Sequence, residues 1–120
     1  MGKKLSPKKK LSVFERDNSK CQYCGLEVDF SDKNSWHIDH VVPVSKGGTH
    51  CEANLKLACN SCNSKKRGFT LDYFRGMMSI TNSKYQGIIN YKQAEQLMGL
   101  GVDLGLELYV FPFEEVSRER

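Results

Sequence analysis

The stretch HIDHVVPVSKGGTHCEANLKLACNSCNSKKRG, residues 37–68, decides how this chain is read. Two histidines lie within its first four positions, and Asp39 directly precedes His40. On a regular strand the side chains of those two neighbours leave opposite faces. Trp36 to Val44 is a strand candidate, rich in β-branched residues and closed by Pro43. SKGGTHCEAN is a turn-rich loop, and LKLAC, residues 55–59, alternates like the second strand of a hairpin. NSCNSKKRG then reads as a short basic helix ended by Gly68. A carboxylate and an imidazole that serve one site must sit where the first strand twists or bulges into its loop.

Four of the five cysteines fall in two close pairs, Cys21 with Cys24 and Cys59 with Cys62. The first pair forms a knuckle, CQYCG, in which Gly25 is free to take positive φ. Two C-x-x-C pairs match the four ligands of tetrahedral Zn²⁺. Four thiolates leave no open position, so this zinc is expected to be structural. Redox dithiols are the competing reading. Cys51 stands outside the set, as a small loop residue.

Composition supports a need for such a staple. Only 39% of the 120 residues are hydrophobic, few for a well-filled core in a chain of one domain or two at most. MGKKLSPKKK is basic but has no apolar signal-peptide segment, and no run approaches membrane-spanning length. A cytoplasmic chain keeps its thiols reduced, which favours metal over disulfides.

The net charge is +4. Lysines crowd residues 3–20, and Lys65, Lys66, Arg67 and Arg75 form a second group, while Glu107, Glu114, Glu115 and Glu119 make the tail acidic. The distribution suggests a polyanion met on one side, or merely solvated basic runs.

Outside the central stretch, Ser6-Pro7 reads as a helix start and Thr70 as a cap for a helix to about Met78. Asn90 and Gln93 resemble a capping box opening a helix that stops at Gly99. Strand character begins near Leu106, confined to an edge by Pro112. The domain reading is a basic flexible start over 1–10, a core over 11–68 and a helical and strand extension over 69–120 packing on it.

Phe14 to Gly68 resembles the HNH nuclease family and its ββα-metal fold. The resemblance rests on the acid–histidine pair, a proline three residues later, the Gly-Gly loop, Asn54 before the second strand and a cysteine pair entering a helix. It implies an α+β fold: a zinc-stapled ββα core with flanking helices and a short C-terminal strand region. It also implies His40 as general base and Asn54 as the residue that holds the loop. Asp39 and Asn63 are implied as holders of a catalytic divalent ion. The family's last motif position is histidine by name and asparagine, as here at Asn63, in a variant. A carboxylate and an amide oxygen are hard ligands, so Mg²⁺ or Mn²⁺ is expected.

The implied activity is DNA endonuclease cleavage leaving 5′-phosphate and 3′-hydroxyl ends, nicking as a monomer or breaking both strands as a homodimer. His37, Lys65, Lys66 and Arg67 are candidates for contacts to nucleic acid, with double-stranded DNA the expected partner. For His37 the alternative is a partly exposed strand residue, and for the cations a solvated helix end. His50 reads as a plain loop residue. Two other classes compete: a non-cleaving zinc-stapled DNA-binding module, and a component of a packaging or defence complex that cuts only with a partner protein.

Overall fold

The computed structural model describes residues 5–118, with side chains to residue 115. Lys3, Lys4 and Glu119 of the charge pattern, and the first four residues of the expected flexible start, lie outside the described residues. The chain divides into two compact units, residues 1–71 with 111–120, and residues 72–110.

The first unit is built on an antiparallel hairpin of β1 (Trp36–His40) and β2 (Leu55–Cys59), followed by α2 (Asn60–Lys66). This ββα order gives the α+β class. In the register, Trp36 faces Cys59, Asp39 faces Lys56 and His40 faces Leu55. β1 therefore stops four residues before Val44, and Asp39 and His40 are its last two residues. Beyond them Val44–Lys46 forms a 3₁₀ turn instead of strand. Gly47 takes φ +88°, the left-handed region glycine tolerates.

α1 (Pro7–Arg16) packs with α2 on the hairpin. Ser6 Oγ accepts the Lys9 amide at 3.1 Å and Pro7 occupies the first turn, so the helix starts where its capping residues place it. Residues 7–10 are accordingly helical, which corrects the expectation of a flexible start through residue 10. The amphipathic helix buries Val13 and Phe14, and Phe14 meets Trp36 edge-on at 4.9 Å. Arg16 donates to the carbonyls of Glu52 and Leu55, and Asp17 accepts the Leu57 amide at 2.9 Å. These bonds tie the end of α1 to β2 and to the loop before it.

α5 (Pro112–Arg118) closes the first unit. Phe111 is fully buried and meets Tyr23 edge-on at 5.6 Å.

The second unit holds α3 (Leu71–Thr81, from its second residue on) and α4 (Tyr91–Gly99). Its core gathers Ile80, Ala94 and Leu104, with Tyr85, Ile89, Tyr91, Leu97 and Leu106 around them. The Asn90–Gln93 capping box is formed in both directions, at 2.9 and 2.8 Å. No strand forms near Leu106 among the described residues. The Tyr109 N–H donates to Ser79 Oγ and its carbonyl accepts from Arg75, so side chains of α3 satisfy backbone groups that a strand would pair.

Candidate active site and metal centre

The cysteine pairs come together because β2 ends at the second pair just as the knuckle returns to it. Cys21 N–H bonds Leu26 O and Gly25 N–H bonds Cys21 O, both at 2.8 Å, closing the turn with Gly25 at φ +84°. Gln22 N–H donates to Leu57 O at 2.8 Å, so the knuckle is laid along β2. The sulfurs of Cys21, Cys24, Cys59 and Cys62 lie within 4.8 Å of one another, and Cys24 and Cys59 are 3.7 Å apart. Zn–S bonds of about 2.3 Å in a tetrahedron separate sulfurs by about 3.8 Å, so the set fits structural zinc. As bare thiols, Cys24 and Cys62 donate toward Cys21 and pull its pKa far down. That contact holds the Cys24 and Cys62 protons in place and pushes both of those thiols up. Cys51 is exposed and outside the cluster.

Asp39 points into the core, only 8% exposed. Its Oδ2 accepts from the Tyr23 hydroxyl at 2.6 Å and pairs with Lys66 Nζ at 3.0 Å. Burial and the adjoining carboxylate push the Tyr23 phenol well up, so it remains a donor. Lys66 is fully buried and also donates to His40 O at 3.0 Å. This corrects the expectation that Lys66 meets a phosphate backbone: its ammonium is spent inside the fold. A clue lay in the helix, since Lys66 follows the buried Cys62 by four residues and so shares its inward face. Lys65 and Arg67 remain exposed.

His40 is half-buried, and its Nε2 lies 2.9 Å from His50 Nδ1. Burial, His50 and Lys66 lower the His40 pKa from its ordinary value against an opposing pull from Asp39, with burial the largest cause. His50 is thus a direct neighbour of His40, a contact that the sequence reading passed over. It is held by its backbone, whose carbonyl accepts from Lys9 Nζ at 2.9 Å. Nothing in local spacing marks it, because the contact depends on how the Gly-Gly loop folds back.

Asn54 makes that fold-back possible. Its Oδ1 accepts from Val42 N at 2.9 Å, and its Nδ2 donates to Val42 O at 3.1 Å and Thr49 O at 2.9 Å. One amide side chain thereby bridges both ends of the loop between the strands. Gly48 is required for the same closure, since a Cβ there would lie 1.7 Å from Val42 O.

Asn63, on α2, lines an open cleft with His37 and Ile38. His37 Nε2 is 3.0 Å from Asn60 Oδ1. The structure thus joins Asp39 to Lys66 and Tyr23, His40 to His50, and sets Asn63 on the face of α2 near β1.

Residues 21–68 match the family model described as HNH endonuclease. Among curated proteins, the chain is 38% identical over 53 residues to the CRISPR-associated endonuclease Cas9 of Corynebacterium diphtheriae, a match covering 43% of this chain and 5% of that protein. No solved structure matches the chain. The hairpin, its loop, the cysteine cluster and α2 are therefore the parts of an HNH endonuclease-family domain, which residues 21–68 constitute.

Proposed function

We propose that this chain is a metal-dependent DNA endonuclease in which His40 is the general base and Asp39 and Asn63 hold a divalent ion. The observation that carries the reading is the His40–His50 pair: a half-buried imidazole, fixed through one ring nitrogen, directly after a buried carboxylate in an HNH-family domain. With the proton on Nε2 donated to His50 Nδ1, His40 presents the Nδ1 lone pair as its basic atom. After that atom takes a proton from the attacking water, the Nε2–H bond to His50 persists and steadies the imidazolium. The lowered pKa favours the neutral form that a base requires.

Both protein contacts of Asp39 fall on Oδ2, which leaves Oδ1 for a cation. Lys66 reaches Asp39 from three residues beyond Asn63, so the amide of Asn63 starts on the helical face turned to the same strand. Carboxylate and amide oxygens suit Mg²⁺ or Mn²⁺. Such an ion supplies charge neutralisation on the phosphate and the departing oxygen. Exposed Lys65 and Arg67 are placed to meet phosphates, giving affinity that falls with salt. One site per chain cuts one strand, and two copies are needed for a double-strand break.

One observation favours the non-cleaving alternative. The Lys66–Asp39 ion pair already neutralises the carboxylate that the ion would use. Supercoiled plasmid separates the two readings. Zinc-loaded protein should nick it with added Mg²⁺ or Mn²⁺ and not without, and His40→Ala should bind DNA without nicking. Nicking that survives His40→Ala would remove the assignment.

A further inference from the structure

Beside the site just described lies an open cleft of about 560 Å³, which shares only Asn63 with the proposed ion site. Small-ligand clefts span about 300–1,000 Å³, so it has room for a nucleotide. Lys10 of α1, Phe30 and Lys33 of the loop before β1, Trp36 and His37 of β1, and Asn63 of α2 line it.

Phe30 is 44% exposed, yet its ring is firmly held. It stacks on Trp36 at 5.4 Å and 22°, and meets Phe14 edge-on at 5.0 Å. The Trp36 indole N–H also donates to Phe30 O at 3.2 Å, fixing the backbone below the ring. An exposed aromatic ring already fixed in place can be stacked upon at little further entropic cost. Lys10 and Lys33 are both exposed, and neither ammonium has an ion-pair partner among the described residues. Among the described residues no carboxylate lines the cleft.

An aromatic platform flanked by unpaired cations fits single-stranded nucleic acid. A base inside a duplex presents its edges in the grooves while its faces are covered by its neighbours. Only an unpaired base can offer a face to Phe30. Because Asn63 borders the same cleft, the occupant would be continuous with the strand at the reaction site. We infer that this cleft is a subsite for one unpaired nucleotide flanking the cut, its base stacked on Phe30 and its phosphates met by Lys10 and Lys33. The inference rests on the nuclease reading for the word flanking, but not for the binding itself.

The test uses full-length zinc-loaded protein carrying His40→Ala, without added Mg²⁺, and a short single-stranded oligodeoxynucleotide containing 2-aminopurine. Stacking on an aromatic ring quenches that probe. Quenching on binding is expected, and Phe30→Leu, which keeps an apolar side chain against Phe14 and Trp36, should abolish it and weaken binding by roughly 5- to 100-fold. Lys33→Ala, a change at an exposed position, should weaken binding and lower its salt dependence. Absence of quenching in the His40→Ala protein, or unchanged affinity in both further variants, overturns the subsite. The nuclease reading is scored separately on plasmid. Nicking without quenching removes only the subsite. Quenching that disappears in Phe30→Leu, in a wild-type protein that never nicks, keeps the nucleotide site and removes the nuclease.

Discussion

Lys66→Met tests the link between the core of the domain and its proposed metal site. Lys66 is fully buried, 3.0 Å from Asp39 Oδ2 and 3.0 Å from His40 O. Methionine fills similar volume and removes the ammonium. Stripping one partner from a buried ion pair costs about 3–5 kcal/mol, because the remaining charge stays buried without compensation. Tyr23 still donates to Asp39, so the low end of about 3 kcal/mol applies. At about 4–8 °C per kcal/mol for a domain of this size, the melting midpoint should fall by roughly 12–24 °C. Mg²⁺ should then take over the compensation. At about 100 times its dissociation constant a ligand restores about 2.7 kcal/mol, which is most of the loss. Wild type should gain less from Mg²⁺, since Lys66 competes for the same carboxylate. Thermal unfolding by circular dichroism, on zinc-loaded protein with and without Mg²⁺ and with no chelator that would strip the zinc, reads both effects. A midpoint within about 4 °C of wild type, a loss of about 1 kcal/mol or less, would refute the buried ion pair. A full loss that Mg²⁺ does not relieve would refute Asp39 as a holder of the ion.

Three further outcomes follow from the same geometry. His50→Ala should lower kcat about 10- to 100-fold with little change in KM, by analogy with the scale of acid–base contributions, and His50→Gln, which keeps an acceptor, should recover part of it. The acid limb of wild-type nicking should lie below the ordinary histidine value of 6.5: a base works when neutral, and burial, His50 and Lys66 all oppose protonation of His40, so activity measured across pH should persist further into acid than an exposed histidine allows. Metal analysis should find one zinc per chain, and Cys62→Ala should lose it together with the native circular dichroism spectrum, because structural zinc contributes on the order of 10 kcal/mol to folding.

What could be read from the sequence was set by local chemistry. Cys21 to Gly25 and Cys59 to Cys62 are short repeats whose sulfurs must converge if a cation is to be shared, and their cluster forms. Ser6-Pro7 and Asn90 with Gln93 are capping signals that act within one helical turn, and both operate where they stand. Leu55–Cys59 pairs as a strand because its alternation has an apolar face to bury. The misread positions depend on partners distant in sequence. Lys66 looks like a surface cation until Asp39, 27 residues earlier, supplies its counter-charge inside the fold. His50 looks like loop filler until Asn54 draws residues 42 and 49 together. Residues 106–110 have strand composition, but Ser79 and Arg75 reach Tyr109 first. A β-rich composition cannot make a ladder when the backbone groups are already engaged.

The buried Asp39 also explains why the acid and the base can be adjacent without neutralising each other. β1 ends at His40, so alternation sends Asp39 inward to Lys66 and Tyr23 while His40 turns to the half-exposed side with His50. If Asp39 lacked its internal cation, its charge would sit beside the imidazole and favour the protonated form, which is useless as a base. Lys66 opposes that field, after the larger effects of burial and His50, and its second bond, to His40 O, fixes the backbone of the base as well. One buried ammonium thus pairs with the carboxylate on one side of a single peptide bond and, on the other, adds to the burial and the His50 contact that hold the imidazole pKa down. On this account Asp39→Asn should leave Lys66 uncompensated and destabilise the fold as well as weaken ion binding, whereas Asp39→Asn combined with Lys66→Met should be more stable than either single variant predicts. Simple additivity of the two losses in urea titrations would sink the argument, because residues that share one buried ion pair must couple.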